Sequence, residues 1–430
     1  MSVAQTAPLR RALASEISER PFSVVFWDGT SVAATTGVAP TVFVRSPRAL
    51  AHLLRAPGQL GLGRAYVSGE LDVDDPDALI ELVYSWRPPA ISAGARARLA
   101  LATALAAGPV RPPAPPSVEL RQNGLRRHER ARDARSVRHH YDVSNEFFSL
   151  FLDESMTYSC ALFADGVTTL EQAQERKLDL ICRKLRLEPG RRVLDVGCGW
   201  GSFAIHAARR YGVSVVGITL SPSQAELAQL RVRELGLEDR VEIRVMDYRE
   251  LSEERFDAVA SIGMVEHVGE EQIEEYARAV AGALRPGGLF LNHGIAAVGP
   301  GNDVPTEFTD RYVFPDGQLL HLARVMGALD AAGFEALHVE GLREHYVETL
   351  RHWARRLDER LDAAVLIAGP ERVRVWRLYL RGARRNFEAG FASVYQVLCR
   401  AGDASQASIP SRRSGEHRDA GASPAAARRS

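Results

Sequence analysis

The chain has 430 residues, a length that suggests two domains plus extensions. It is 46% hydrophobic and 25% charged, the balance of a soluble globular protein, and its formal net charge of zero removes the electrostatic reason to expect a nucleic-acid partner. Its four cysteines (Cys160, Cys182, Cys198 and Cys399) include no two at metal-ligand spacing, which argues against a metal and for a reduced, cytoplasmic setting.

In chain order, residues 1–20 lack the apolar core of a signal segment and read as an N-terminal extension. Residues 21–104 read as a small α/β domain. PFSVVFWDGT and PTVFVRS alternate like strands around turn residues, and PRALAHLLRA has apolar positions at helical spacing. LGLGRAYVSGELDVDDPDALIELVYSW then reads as a loop rich in Gly and Asp followed by a second helix. The longest apolar stretch, Leu99 to Ala107, is too short to cross a bilayer. Residues 105–120 are proline-rich and read as an extended linker, where the domain boundary belongs. Residues 121–140 carry seven arginines against Glu129 and Asp133, either a solvated helix face or a patch for anionic groups. Of the 54 basic residues only Lys177 and Lys184 are lysines, a bias read as genomic. From about residue 190, strands alternate with helices through RRVLDVGC, VSVVGIT, VEIRVMD, FDAVASIG and GGLFLNHG, the pattern of a parallel sheet covered on both faces. Residues 121–402 form this second domain, and residues 403–430, rich in Ser, Ala, Gly and Arg, are expected to be disordered.

The first of these strands runs through Asp195 into Gly197-Cys198-Gly199-Trp200-Gly201, and a helix follows. Glycines there permit a tight turn and close approach of a ligand to the backbone. The spacing is G-x-G-x-G, not the dinucleotide pattern G-x-G-x-x-G. With Asp247-Tyr248 after the third strand, the combination resembles the class I methyltransferase fold, a seven-stranded, mostly parallel α/β sheet. In that class the second strand usually ends in an acid for the ribose hydroxyls. Here it ends Thr219-Leu220-Ser221-Pro222-Ser223-Gln224, without one.

Several segments in order name a family. They are His140-Tyr141-Asp142-Val143-Ser144-Asn145-Glu146-Phe147-Phe148, Met156-Thr157-Tyr158-Ser159-Cys160, the glycine loop with TLSPSQ, Gly263-Met264-Val265-Glu266-His267-Val268-Gly269 and Arg311-Tyr312-Val313-Phe314-Pro315-Asp316-Gly317. Together they resemble the cyclopropane-fatty-acyl-phospholipid synthases over about residues 50–400. The resemblance implies a helical lid, a lipid-binding N-terminal domain and S-adenosylmethionine as cofactor. It further implies a carbocation reaction at the double bond of an unsaturated phospholipid acyl chain, giving a cyclopropane. It implies contacts to the cofactor from Tyr158, Ser159, Asp195, Gly197, Gly199, Trp200, Gly201, Thr219, Gln224, Asp247 and Tyr248. It also implies a bicarbonate ion as base, held by the backbones of Cys160 and Ile295 and the side chains of Glu266, His293 and Tyr346. Plainer roles stand beside these: Glu266 as an exposed acid, Trp200 and Tyr346 as packing, and His345 in place of Tyr346. His293 is expected at the end of the fifth strand. Some family members carry a cysteine in the C-terminal helix, and residues 378–384 have none, which a cation mechanism tolerates.

The resemblance implies a peripheral, homodimeric enzyme on the inner membrane surface; if the arginines of 121–138 are not simply a solvated face, they would meet anionic headgroups there. Close relatives make a 10-methylene chain that a separate reductase saturates, and this product is the main alternative. A small-molecule methyltransferase and a non-catalytic lipid-binding protein are the others.

Overall fold

The computed structural model describes residues 5–120, 144–299 and 307–402, apart from 38, 88, 110, 112, 165, 252–253 and 315–316. The arginine-rich 121–140 segment and the 403–430 tail lie outside the described residues.

The N-terminal part is a four-stranded sheet, ordered β2-β1-β3-β4, of β1 (Ser23–Phe26), β2 (Ser31–Val32), β3 (Thr41–Val44) and β4 (Leu71–Val73). Five helices accompany it: α1 (Ala7–Glu16), α2 (Pro47–Arg55), α3 (Gln59–Val67), α4 (Pro76–Ser85) and α5 (Ala93–Ala107). Local chemistry sets several ends. Ser46 and Asp75 cap α2 and α4, each followed by proline at the first helical position.

Three expectations need correction. Residues 7–16, expected within an N-terminal extension, pack into the small domain, because Leu9 is buried in one cluster with Val24, Phe26 and Ala106. The segment around Gly61 and Gly63 is helix α3 and not loop. A Cβ at Gly61 would collide with the Ala56 carbonyl, and one at Gly63 would stand 2.7 Å from the Phe308 ring. Those glycines serve close packing, which outweighs their low helix propensity. Finally, α5 continues to Ala107, since Ala102, Ala106 and Ala107 are buried, so the extended segment starts at Gly108 and not at 105.

The second sheet has seven strands ordered β10-β11-β9-β8-β5-β6-β7. They are β5 (Arg192–Val196), β6 (Ser214–Thr219), β7 (Val241–Val245), β8 (Phe256–Ile262), β9 (Leu284–Ala297), β10 (Phe334–Gly341) and β11 (Ala392–Ala401). Only β11 runs against its neighbours β9 and β10, and the other pairings are parallel. One face packs α7 (Leu170–Lys184), α8 (Ser202–Tyr211) and α9 (Pro222–Glu234) around Phe203 and Val215. The other packs α10 (Ile273–Ala283) and α12 (Leu322–Ala331) around Tyr276 and Phe290, while the short α11 (Glu307–Tyr312) between them in the chain packs against Val67 of α3.

Over the carboxyl ends of the strands lies a third, aromatic cluster. It joins the short α6 (Asn145–Ser149) to α13 (Arg343–Glu359) and α14 (Leu361–Glu388), with Phe147, Phe148, Phe151, Trp200, Trp353 and Trp376 buried together. Helix α14 breaks at Gly369 (φ 76°) before Pro370. Its outer face docks on the N-terminal part. Arg374 donates to Tyr66 O and pairs with Asp72, while the buried Arg381 joins Asp77 (2.9 Å) to Asp358 (2.5 Å).

Candidate active site

The sheet order reverses direction at β5, where open α/β sheets bind ligands at the carboxyl edge. There β5 enters the glycine turn with φ of 79°, 55° and 79° at Gly197, Gly199 and Gly201, a left-handed path suited to glycine. The amides of Gly197 and Cys198 both donate to Ile218 O (3.0 and 2.9 Å), which bends the turn across β6. The cleft above it has about 1100 Å³ of space, counted out to its open mouth.

Of the expected cofactor residues, Tyr158, Ser159, Asp195, Gly197, Gly199, Trp200, Thr219, Gln224 and Tyr248 line this cleft. Gly201 and Asp247 do not. Gly201 starts α8, and a Cβ on it would press on Ala228 at 3.3 Å. The Asp247 carboxylate instead binds Arg249 at 2.7 Å, and it is Arg249 that reaches the wall. Where the family class has an acid on its second strand, Thr219 Oγ1 donates to Gln224 Oε1 at 2.9 Å.

Lys177, Arg249, Met264 and His267 also line the cleft and were missed from sequence. For Lys177 a signal existed: it is one of two lysines in a chain that otherwise uses arginine. Its buried ammonium donates to Ser159 Oγ (2.9 Å), and burial pulls its pKa down to about 8. Asp195 is 1% exposed, both carboxylate oxygens lack a hydrogen-bond partner among the described residues, and burial lifts it to about 7. An unpartnered carboxylate and a buried ammonium in one wall fit a zwitterion such as the methionine end of S-adenosylmethionine.

The proposed acid–base residues gather behind this cleft. After β8, Gly263 (φ 68°) turns the chain into a short 3₁₀ turn, Val265–His267. Glu266 Oε1 accepts from the Ile295 amide at 2.6 Å, while Oε2 is buried without a partner. Burial lifts this carboxyl to about 7. The Ile295 amide, expected to meet a bound anion, is thus occupied by Glu266. His293 does not end its strand: β9 continues to Ala297 because β11 pairs with it along its length. The imidazole Nδ1 lies 3.1 Å from Gln396 Nε2, and its own Nε2 is buried without a partner. Burial, reinforced by Lys177 and Lys184, pushes His293 well below the usual histidine range, so the ring is neutral.

Tyr346 and Cys160 join the same place through the backbone. Leu342 donates to Val394 O (2.8 Å), Val394 pairs with Ile295, and Tyr346 stands one helical turn beyond Leu342. The Cys160 thiol donates to Leu342 O (3.6 Å), and burial pushes its pKa up, which makes it a poor nucleophile. The Tyr346 ring sits edge-on to Trp353 and Phe387. His345 is not a buried competitor, for Tyr346 is the member of the pair in the aromatic cluster. Tyr158 and Trp200 belong both to the cleft wall and to that cluster, so apolar surface begins where the cleft ends.

Strand order, glycine turn and cleft define a class I S-adenosylmethionine-dependent methyltransferase. The family described as mycolic acid cyclopropane synthetase matches residues 128–397, and the chain belongs to it. The chain is 42% identical over 399 residues to a probable fatty acid methyltransferase of Mycobacterium tuberculosis, covering 88% of this chain and 91% of that one. It is 32% identical over 409 residues to a tuberculostearic acid methyltransferase of the same organism, covering 92% and 91%. Among solved structures, a mycolic acid cyclopropane synthase complexed with SAH and CTAB superposes with a TM-score of 0.60 at 33% identity, covering 65% of this chain and all (100%) of that one.

Proposed function

We propose that the enzyme transfers the sulfonium methyl of S-adenosylmethionine to the double bond of an unsaturated acyl chain in a membrane phospholipid. One observation carries this reading: Glu266 Oε2 and His293 Nε2, two buried polar atoms without partners among the described residues, stand beside an aromatic, apolar cluster. Acid–base groups kept dry next to apolar surface suit an olefin and its cation better than a polar acceptor.

An olefin needs no nucleophile from the protein. Its π pair forms the new C–C bond as the S–CH₃ bond breaks, leaving a cation on the neighbouring carbon. The protein must hold the olefin in line, exclude water and see one proton removed. Glu266, half-ionised near neutral pH, can hold or take a proton at Oε2. The Glu266 and His293 atoms, with Tyr346 and the Cys160 backbone, also suit a small oxyanion that both donates and accepts. Bicarbonate bound there would supply a proton acceptor.

Loss of the proton from the added methyl with ring closure gives a cyclopropane. Loss after a hydride shift, without closure, gives a methylene branch. The long relatives carry the names of methyltransferases, which favours the open-chain product and a separate reductase to saturate it. Proton NMR of dioleoyl phospholipid incubated with the enzyme and S-adenosylmethionine decides: vinylidene signals support the methylene, and high-field cyclopropyl signals the ring. Unchanged lipid alongside turnover on small free acceptors would sink the lipid assignment. Among the described residues no helix is long and apolar enough to cross a membrane, and the proposal has the enzyme meet its lipid from the membrane surface. The proposal includes a homodimer on the inner membrane face, which light scattering and vesicle flotation test.

A further inference from the structure

Gln396 and Lys184 stand behind His293, and the sequence pattern assigns neither a site role. Gln396 on β11 is the direct partner of His293 on β9, and it is 0% exposed. Lys184, the last residue of α7, donates through Nζ to Gln396 Oε1 at 2.6 Å and also pairs with Glu340. An ammonium can only donate, so the amide must turn its oxygen to Lys184 and its NH₂ the other way. That NH₂ lies 3.1 Å from His293 Nδ1. Because the NH₂ can only donate, Nδ1 must accept. The reverse amide orientation would set two donors against each other at Lys184 and is excluded on that ground.

The burial that keeps His293 neutral completes the argument. A neutral imidazole whose Nδ1 accepts carries its one proton on Nε2. Nε2 is a buried atom without a partner among the described residues. We propose that Lys184 and Gln396 are positioning residues that fix His293 as its Nε2–H tautomer, so that it presents a hydrogen-bond donor, and not a base, to the reacting site. His293 then orients whatever accepts the proton and does not take the proton itself. The tautomer stands on this structure alone, and only its place in the chemistry rests on the proposed function. Product NMR and tautomer NMR therefore fail separately.

The test uses full-length protein labelled with ¹⁵N-histidine, with His293→Gln identifying the signals of that ring. Long-range ¹H–¹⁵N spectra near pH 7.5 should show His293 as Nε2–H. In Gln396→Glu the new carboxylate can only accept, so the proton should move to Nδ1. Turnover should fall roughly tenfold or more, the scale of a misdirected hydrogen bond to a charged group. Affinity for S-adenosylmethionine, by calorimetry, should change less than about twofold. Lys184→Met frees the amide to turn and should give a mixture of tautomers. An Nδ1–H wild-type ring, or a Gln396→Glu spectrum identical to wild type, overturns the proposal. The wild-type spectrum decides even if Gln396→Glu does not fold.

Discussion

Replacing Glu266 by glutamine should make the enzyme worse and, at alkaline pH, more stable. The side chain keeps its shape, and Oε1 can still accept from the Ile295 amide. What disappears is a charge that burial resists: the carboxyl moves from an ordinary 4.5 to about 7 on folding. A raised acid leaves stability untouched below about pH 4.5. Between 4.5 and 7 the unfolded chain ionises while the folded site holds its proton, so stability falls with rising pH. Above 7 the full cost, about 3 kcal/mol, is present. Glutamine has no such dependence. Stability relative to wild type should therefore rise by about 2.5 kcal/mol between pH 5 and pH 8, an upper figure because Glu266 as a whole residue is only half-buried. Any fixed cost of burying the new amide NH₂ cancels in that difference. Urea unfolding at the two pH values measures it. Turnover should drop roughly tenfold to a hundredfold, for loss of a charged hydrogen-bonding group worth about 1.5–3 kcal/mol. Cofactor affinity should hold, since Glu266 is not in the cleft wall. A variant with wild-type turnover, or with a stability difference indifferent to pH, refutes the reasoning.

Gly294→Ala tests how Glu266 is placed. A Cβ at Gly294 would collide with Val265 Cγ1, so the 3₁₀ turn must shift. Urea midpoints should report a loss of about 1–3 kcal/mol, with turnover lowered and cofactor affinity kept. Trp353→Ala removes a fully buried ring stacked on Tyr158 (5.1 Å between centroids). It should cost about 3–5 kcal/mol in unfolding and, by loosening Tyr158, weaken calorimetric binding of S-adenosylmethionine. Lys177→Met should lower affinity for S-adenosylmethionine roughly tenfold or more and leave 5′-methylthioadenosine, which lacks the amino-acid end, unaffected. Equal losses for both ligands would make Lys177 a purely structural residue.

Sequence by itself determined what depends on neighbours in the chain. The alternation of strands and helices, the Gly197–Gly201 turn and the absence of an acid after Thr219 are local patterns, and the family follows from motifs in order. Tertiary structure alone decided what depends on residues far apart. Gly63 looks like loop until Phe308, more than two hundred residues on, is packed against it. His293 looks like a strand end until β11 arrives a hundred residues later to extend the pairing and to supply Gln396. Asp247 matches a cofactor motif, yet its charge is spent on Arg249. The two lysines look like a codon accident, but burial brings one to Ser159 in the cleft and the other to Gln396 behind His293. Desolvation and hydrogen-bond direction set the chemistry of such groups, and neither exists until the chain has closed around them.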